Sequence, residues 1–318
     1  MTLAFPGGLV AVLTGGRSSE RERWLLSGGT AYESLRRQGA STVLLDIADP
    51  DFPERVRDAD LALLAIAGKW AEDGKLQGYL ETIGVPYTGS GVVASALGMN
   101  KPLAKTVVAA AGVPVLPGLL VTAGGASQSL VDDITDELQL PVILKPASEG
   151  GSLDMRVCHT TAELREALSG LDVAGAWFVE PFVAGTPVTA AVLKREGRPL
   201  ALPVLETIPT QAEFYDYASK RNEELRQYRC PASLPVPVTN RIKDAALTAH
   251  RALHCSGYSR SDFIVSATGE VAWLEVNTLP GLSEHGNLAT MAQAAGFGYD
   301  DLVRLILAAA PRDGGYRP

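Results

Sequence analysis

Residues 8–14 (GLVAVLT) are an unbroken apolar run without alternation, the pattern of a strand buried on both faces of a parallel sheet. "GGRSSERE" follows, where Ser19 and Glu22 have the spacing of a capping box and predict a helix to about Arg37. Apolar runs at 42–45 and 61–66 continue the strand–helix alternation of a doubly wound α/β unit. Helices near 75–83 and 91–97 flank the glycine-rich "GVPYTGSG", and this unit is expected to end near residue 104. From 103 to about 183 the pattern becomes helix and short strands. It runs as a helix (103–111), "LPVILKPASEGGSLDMRV" as strand, glycine-rich loop and strand, a helix (161–170), and a strand (177–179). The remainder has a polar stretch (207–230), a helix (240–254), a hairpin with strands 261–265 and 271–277, and a last helix near 300–309. The expected fold class is α/β and α+β, in three units: 1–104, 105–186 and 187–318.

The hairpin raises a chemical question. Strict alternation in "VAWLEVN" puts Val271, Trp273, Glu275 and Asn277 on one face and the apolar Ala272, Leu274 and Val276 on the other, which reads as core. In the partner strand, "YSRSDFIV", Arg260, Asp262 and Ile264 share a face. The turn at 266–270 makes the strands antiparallel, so Asp262 can lie opposite Glu275 or Asn277. Two carboxylates and an amide on one face repel unless a cation sits between them. Oxygen-only ligands select a hard ion, Mg²⁺ or Mn²⁺, with phosphate oxygens completing the shell. An ordinary exposed face explains any one pair; the three together, beside Arg260 and the Pro280-Gly281 turn, favour the ion.

Composition narrows the partners. The chain has 318 residues, 46% hydrophobic and 20% charged, with net charge −8, which disfavours a nucleic-acid or membrane-surface role. Cys158, Cys230 and Cys255 are too scattered for a disulfide framework or a zinc site. The start lacks the features of a signal peptide and no uncharged apolar run reaches a membrane span, so a cytoplasmic location is expected. Phosphate binders lie mid-chain: Lys145 ends an apolar run, "SEGGS" closing on Ser152 offers backbone N–H groups to an oxyanion, and Lys101 follows "GMN". Glu180, before Pro181, suits either an adenine amino group or a solvated hinge; its spacing does not choose.

The stretches "GGRSSERE", "EDGKLQGYLETIGVPYTGSGVVASALGMNK", "PVILKPASEGGS", "EFYDYASK", "RSDF" and "LEVNTLPGL" resemble, in order and spacing, the D-alanine–D-alanine ligase family of ATP-grasp enzymes over nearly the whole chain. The resemblance implies an N-terminal α/β domain, a central lid and a C-terminal domain, with ATP between the last two. It implies that Asp262, Glu275 and Asn277 bind two Mg²⁺ ions on the ATP phosphates, that Lys101 and Lys145 contact phosphate, and that Glu180 meets the adenine. Arg260 and the Gly281 N–H would hold the oxyanion of the tetrahedral intermediate. Glu20 would hold the first substrate's ammonium, unless it is only a helix-start acid favoured by the dipole. Lys220 would contact phosphate or carboxylate. It further implies an acyl-phosphate route to a C–N bond, amino-acid-like substrates and a homodimer.

The chain departs from the family pattern at the substrate end. "AGKWAEDG" has Ala67 where the family has histidine, with Trp70 nearby; Gly151 replaces a loop serine; Arg221 replaces the tyrosine after Lys220; and Gly286, before Asn287, replaces a substrate-binding serine. Pro187 stands where an acid would meet the ribose. These changes predict an ATP-dependent carboxylate–amine ligase of specialised or antibiotic metabolism, whose substrates differ from two D-alanines, with Arg221 reading an anionic group. Its alternatives are the housekeeping D-alanine–D-alanine ligase of peptidoglycan synthesis and a catalytically weak binding homologue.

Overall fold

The computed structural model describes residues 8–17, 20–122, 126–148, 155–171, 175–209 and 226–311. Its first sheet is parallel, in the order β2-β1-β3, from β1 (Leu9–Thr14), β2 (Ser41–Asp46) and β3 (Leu61–Leu64). Central β1 is buried from Val10 onward, which is why its sequence does not alternate. The connecting helix Arg21–Arg37 buries Trp24, Ala31 and Leu35. Its cap position is Glu20, without a side-chain cap bond, whereas the expected cap Ser19 lies outside the described residues.

The second sheet is antiparallel, β4-β7-β5-β6, from β4 (Leu119–Thr122), β5 (Val142–Pro146), β6 (Arg156–Cys158) and β7 (Ala176–Pro181). The helices Gln128–Leu138 and Thr161–Ser169 cover it, packing Val131, Ile134 and Leu164 against Val142, Leu144 and Val179. A capping box, Thr160 with Glu163, starts the second helix.

The third sheet runs β11-β10-β8-β12-β13, with β9 also on β8. Its strands are β8 (Gly185–Arg195), β9 (Arg198–Ala201), β10 (Leu205–Pro209), β11 (Arg226–Arg229), β12 (Tyr258–Ser266) and β13 (Val271–Asn277). Helix Val236–Ala252 packs Ile242, Ala246 and Ala249 into the core of this sheet. The register corrects the strict alternation expected in β13. Asp262 pairs with Glu275 but Phe263 pairs with Trp273, so a bulge skips Leu274. Trp273 therefore joins Val276 in the core, and Leu274 turns to the same cavity as Glu275 and Asn277.

Helix Lys101–Ala110 ties the sheets together. The Asn100 side chain caps it by accepting from Leu103 N (3.1 Å), and Ala104 and Val108 pack with Val276 and Trp273. Its first N–H, on Lys101, donates to Ala147 O beyond β5 (2.9 Å).

Candidate active site

A cavity of about 530 Å³ lies between the second and third sheets, closed at one end by the start of helix Arg21–Arg37 and the loop after β3. Lys101, Lys145, Glu180, Arg260, Asp262, Glu275, Asn277, Gly281, Glu20 and Asn287 all line it. Two sequence-read positions do not. Trp70 stands off the cavity, exposed, at φ +77°, with the Lys75 ammonium 4.9 Å above its ring. Gly286 lies outside the lining, at the cap of helix Asn287–Ala294. Ser152, Gly151, Lys220 and Arg221 lie outside the described residues.

At one end, β5 and β7 bring Lys145 and Glu180 together, with Glu180 opposite Ile143 and Lys145 opposite Phe178. Glu180 is 2% exposed; its Oε1 accepts from Lys145 Nζ and its Oε2 from Lys105 Nζ. Both ammoniums sit over the Phe178 ring, at 5.5 Å (Lys105) and 5.7 Å (Lys145). Burying an unpaired ion costs several kcal/mol, so this cluster persists only because its charges compensate. Burial pushes the Glu180 carboxyl up, but the ammoniums of Lys145 and Lys105 outweigh it and hold the group below the usual carboxylate range. Burial draws Lys105 down to about 8 against the pull of Glu180.

In the middle, Asp262 lies opposite Glu275 and Arg260 opposite Asn277. Asp262 accepts a fork from Arg260 (Nε to Oδ1 3.0 Å, Nη2 to Oδ2 3.0 Å) and a bond from Thr189 Oγ1 (2.7 Å). Lys101 Nζ lies 3.6 Å from Glu275 Oε2. Among the described residues no group of three or more His, Cys, Asp or Glu could hold a metal. What the strands gather is two carboxylates and an amide, an all-oxygen set suited to a hard cation that shares its shell with phosphate. The Asn277 amide nitrogen is buried without a protein acceptor, a donor suited to a ligand oxygen. These residues fit Mg²⁺ carried on a polyphosphate.

At the far end, the loop after β3 meets the turn after β13 through Glu72. Its Oε1 accepts from Leu279 N (3.0 Å) and its Oε2 from Gly68 N (3.2 Å), next to the Pro280-Gly281 turn. Burial pushes the Glu72 carboxyl up, opposed by those N–H groups and the Arg260 charge. Gly281 packs on Trp24, whose ring a Cβ there would meet at 3.4 Å. Arg23 stacks over Trp24 at 5.5 Å and donates to Glu20 Oε1 (3.3 Å). Ala67 lines this end with only a methyl group, and Pro187, on β8 opposite Ile264, lines the side wall.

Sequence reasoning missed Lys105, Thr189, Glu72, Arg23 and Trp24. Lys105 had a signal, standing one helical turn after Lys101; Arg23 and Trp24 follow Glu20 at the helix start. Thr189 had none, because only the β8–β12 register brings it to Asp262.

A cavity with lysines at one end, paired oxygen donors in the middle and a guanidinium beside a tight turn has the chemistry that suits a nucleotide polyphosphate and a second, reacting molecule. The D-ala D-ala ligase C-terminus family matches residues 107–308. The chain is 41% identical over 304 residues to a D-alanine–D-alanine ligase of Anaeromyxobacter dehalogenans, covering 95% of this chain and 96% of that one. It is 39% identical to one from Geobacter sulfurreducens, covering 95% and 93%. The crystal structure of the Bacillus anthracis D-alanine–D-alanine ligase complexed with ATP aligns with a TM-score of 0.82 at 28% identity, covering 95% of this chain and 97% of that chain. The VanG D-Ala:D-Ser ligase of Enterococcus faecalis aligns with a TM-score of 0.81 at 25% identity, covering 96% and 99%. The chain belongs to the D-alanine–D-alanine ligase family and has its ATP-grasp fold; it is an ATP-dependent ligase that forms a C–N bond. Among the described residues, no helix is long and apolar enough to cross a membrane.

Proposed function

We propose that the protein uses ATP to join two D-alanines, as the housekeeping ligase that supplies the dipeptide for peptidoglycan. The observation that carries this reading is one continuous cavity holding Lys145, Glu180, Asp262, Glu275, Asn277, Arg260 and Gly281, with Glu20 and Asn287 at its far end. Full-length similarity to ligases of that name supports the substrate. The first D-alanine carboxylate takes the γ-phosphoryl group of ATP, and the second D-alanine's amine displaces phosphate from the acyl phosphate.

Each lining group has a role in that sequence. Lys101 and Lys145 bind phosphate and Glu180 accepts from the adenine amino group. Asp262, Glu275 and Asn277 would hold two Mg²⁺ ions, which supply charge neutralisation on the phosphates. Arg260 and the Gly281 N–H face the oxyanion that develops as the amine adds, and Glu20 takes the first ammonium. Lys220 and Ser152, as phosphate binders, and Arg221, as a reader of an anionic group, stay candidates outside the described residues. A cytoplasmic homodimer, divided near residues 104 and 186, completes the proposal.

A second reading, in which the substrates differ from two D-alanines, has its own observation: Ala67 lines the far end with only a methyl group, Gly286 stands outside the lining beside Asn287, and Arg23 and Trp24 line that end instead. ADP release with Mg²⁺ and D-alanine alone, followed by mass spectrometry of the product, decides between them. Abundant D-alanyl-D-alanine sustains the first reading. Negligible dipeptide, with turnover restored by another D-, L- or β-amino acid or a hydroxy acid, replaces it with the second.

A further inference from the structure

We propose that Lys105 is a positioning residue of the nucleotide site: it holds Glu180 from behind, so that Lys145 can leave that carboxylate for the phosphates. The proposal rests on the reading of this cavity as an ATP site.

Lys101 and Lys105 stand one turn apart on helix Lys101–Ala110, an arrangement of like charges that a helix does not favour by itself. Each instead faces a different carboxylate across the cavity wall. Lys101 faces Glu275 on β13, and Lys105 faces Glu180 on β7. The two differ in access: Lys101, Lys145 and Glu180 line the cavity, and Lys105 does not. Lys105 is 4% exposed and Lys145 5%.

Glu180 thus has two ammoniums on separate oxygens, Lys145 on Oε1 at the cavity and Lys105 on Oε2 behind it. A carboxylate with a single lysine would be stranded in a buried setting once that lysine turned to a ligand, and a stranded buried charge is severely destabilising. With Lys105 in place the departure of Lys145 leaves Glu180 compensated. Its cavity-side oxygen is then open to a hydrogen-bond donor on the base. Lys105 touches neither the phosphates nor the base; it acts through Glu180 and Lys145.

The test compares full-length wild type with Lys105→Met, measuring equilibrium affinity for ATP, ADP and adenosine by calorimetry with Mg²⁺ present. Lys105→Met is expected to lower ATP affinity at least about tenfold more than adenosine affinity, with ADP between, because Lys145 is then tied to Glu180. Lys105→Arg should recover most of the loss. In a Glu180→Gln background, with no carboxylate to hold, Lys105→Met should cost ATP nothing further; that background also removes the buried charge that could unfold the single variant. Equal losses for ATP and adenosine, unchanged ATP affinity, or a penalty that persists in the Glu180→Gln background would each overturn the proposal alone. Wild type that binds no ATP would overturn the ATP reading itself, and the proposal with it.

Discussion

The two ends of the cavity are built differently. At the end proposed for the nucleotide the charged groups stand on regular elements: Lys145 on β5, Glu180 on β7, Lys105 on the helix Lys101–Ala110. All are at least nine-tenths buried and paired. At the substrate end the groups stand on a helix start and on loops. Arg23 keeps 49% of its side chain exposed and Glu20 21%, and a methyl group and a bare glycine take positions where the family resemblance implies histidine and serine. A buried, mutually compensated cluster tolerates little change, since losing one member strands the others. A half-exposed end leaves fewer groups stranded. Substitution is therefore most destabilising in the buried cluster of Lys105, Lys145 and Glu180, and the half-exposed end is where this chain has room to differ.

The sharpest way to break that contrast is at the middle of the site. Glu275→Gln keeps the shape of β13 but removes a charge from the oxygen set, and turnover should fall by on the order of a thousandfold, about 4 kcal/mol of transition-state stabilisation. The folded baseline by circular dichroism should stay that of wild type. ADP release near the wild-type rate would show that the Asp262–Glu275–Asn277 face holds no ion needed for chemistry.

Glu72 joins the two ends of the comparison, because it fixes the turn that carries Gly281 from the loop that carries Ala67. Glu72→Ala leaves the N–H groups of Leu279 and Gly68 without their acceptor, a loss of about 1–3 kcal/mol for a buried group. We expect kcat to drop by roughly ten- to a hundredfold, with KM for ATP nearly unchanged, since the turn carrying the proposed oxyanion donor has moved and the Lys145–Glu180 end has not. Glu72→Gln keeps one acceptor oxygen and should recover part of kcat. Parallel changes in kcat and in KM for ATP would mean that Glu72 supports the whole fold rather than the turn.

The same contrast decides what was legible beforehand. β1 is buried on both faces, so its apolar run announced it, and the short turn from Ser266 to Glu270 fixed the hairpin. Arg260 and Asp262 share the cavity side of β12 as alternation requires. In β13 the bulge at Leu274 exchanged the expected places of Trp273 and Leu274, and no local pattern encodes it. β8 went unread although it is the centre of its sheet: Pro187 falls inside it, and a proline argues against a central strand. Helix Gln128–Leu138 was missed despite Val131, Ile134 and Leu138 at helical spacing. Residues that serve through a partner, such as Lys105 and Thr189, become visible only once the strands are paired.

A smaller effect tests the substrate end directly. Arg23 lies on the cavity wall between Trp24 and Glu20, so Arg23→Ala should raise KM for an amino acid substrate several-fold because Glu20 loses the contact that orients it, in the range of about 0.2–1 kcal/mol expected of an exposed pair. KM for ATP should not move. A change in KM for ATP alone would place Arg23 with the nucleotide and erase the division between the two ends.

The smallest effect is expected at Gly286. Its backbone (φ −78°, ψ 169°) is extended and open to any residue, and it caps helix Asn287–Ala294 without a side chain to do so. A Cβ there would meet Ser283 Oγ at 2.7 Å, the movable end of a side chain, and Ser283 O at 3.2 Å. Gly286→Ser therefore fits if Ser283 rotates, and a serine cap is worth a few tenths of a kcal/mol over glycine. The melting temperature should rise by about 1 °C. The added hydroxyl would stand beside Asn287, which lines the cavity, and if D-alanine binds there KM for D-alanine should fall about twofold, near 0.4 kcal/mol. A higher melting temperature with KM unchanged would confine Gly286 to helix capping. A raised KM would mean that the space left by glycine is itself used by a larger substrate, which is the outcome that favours substrates other than two D-alanines.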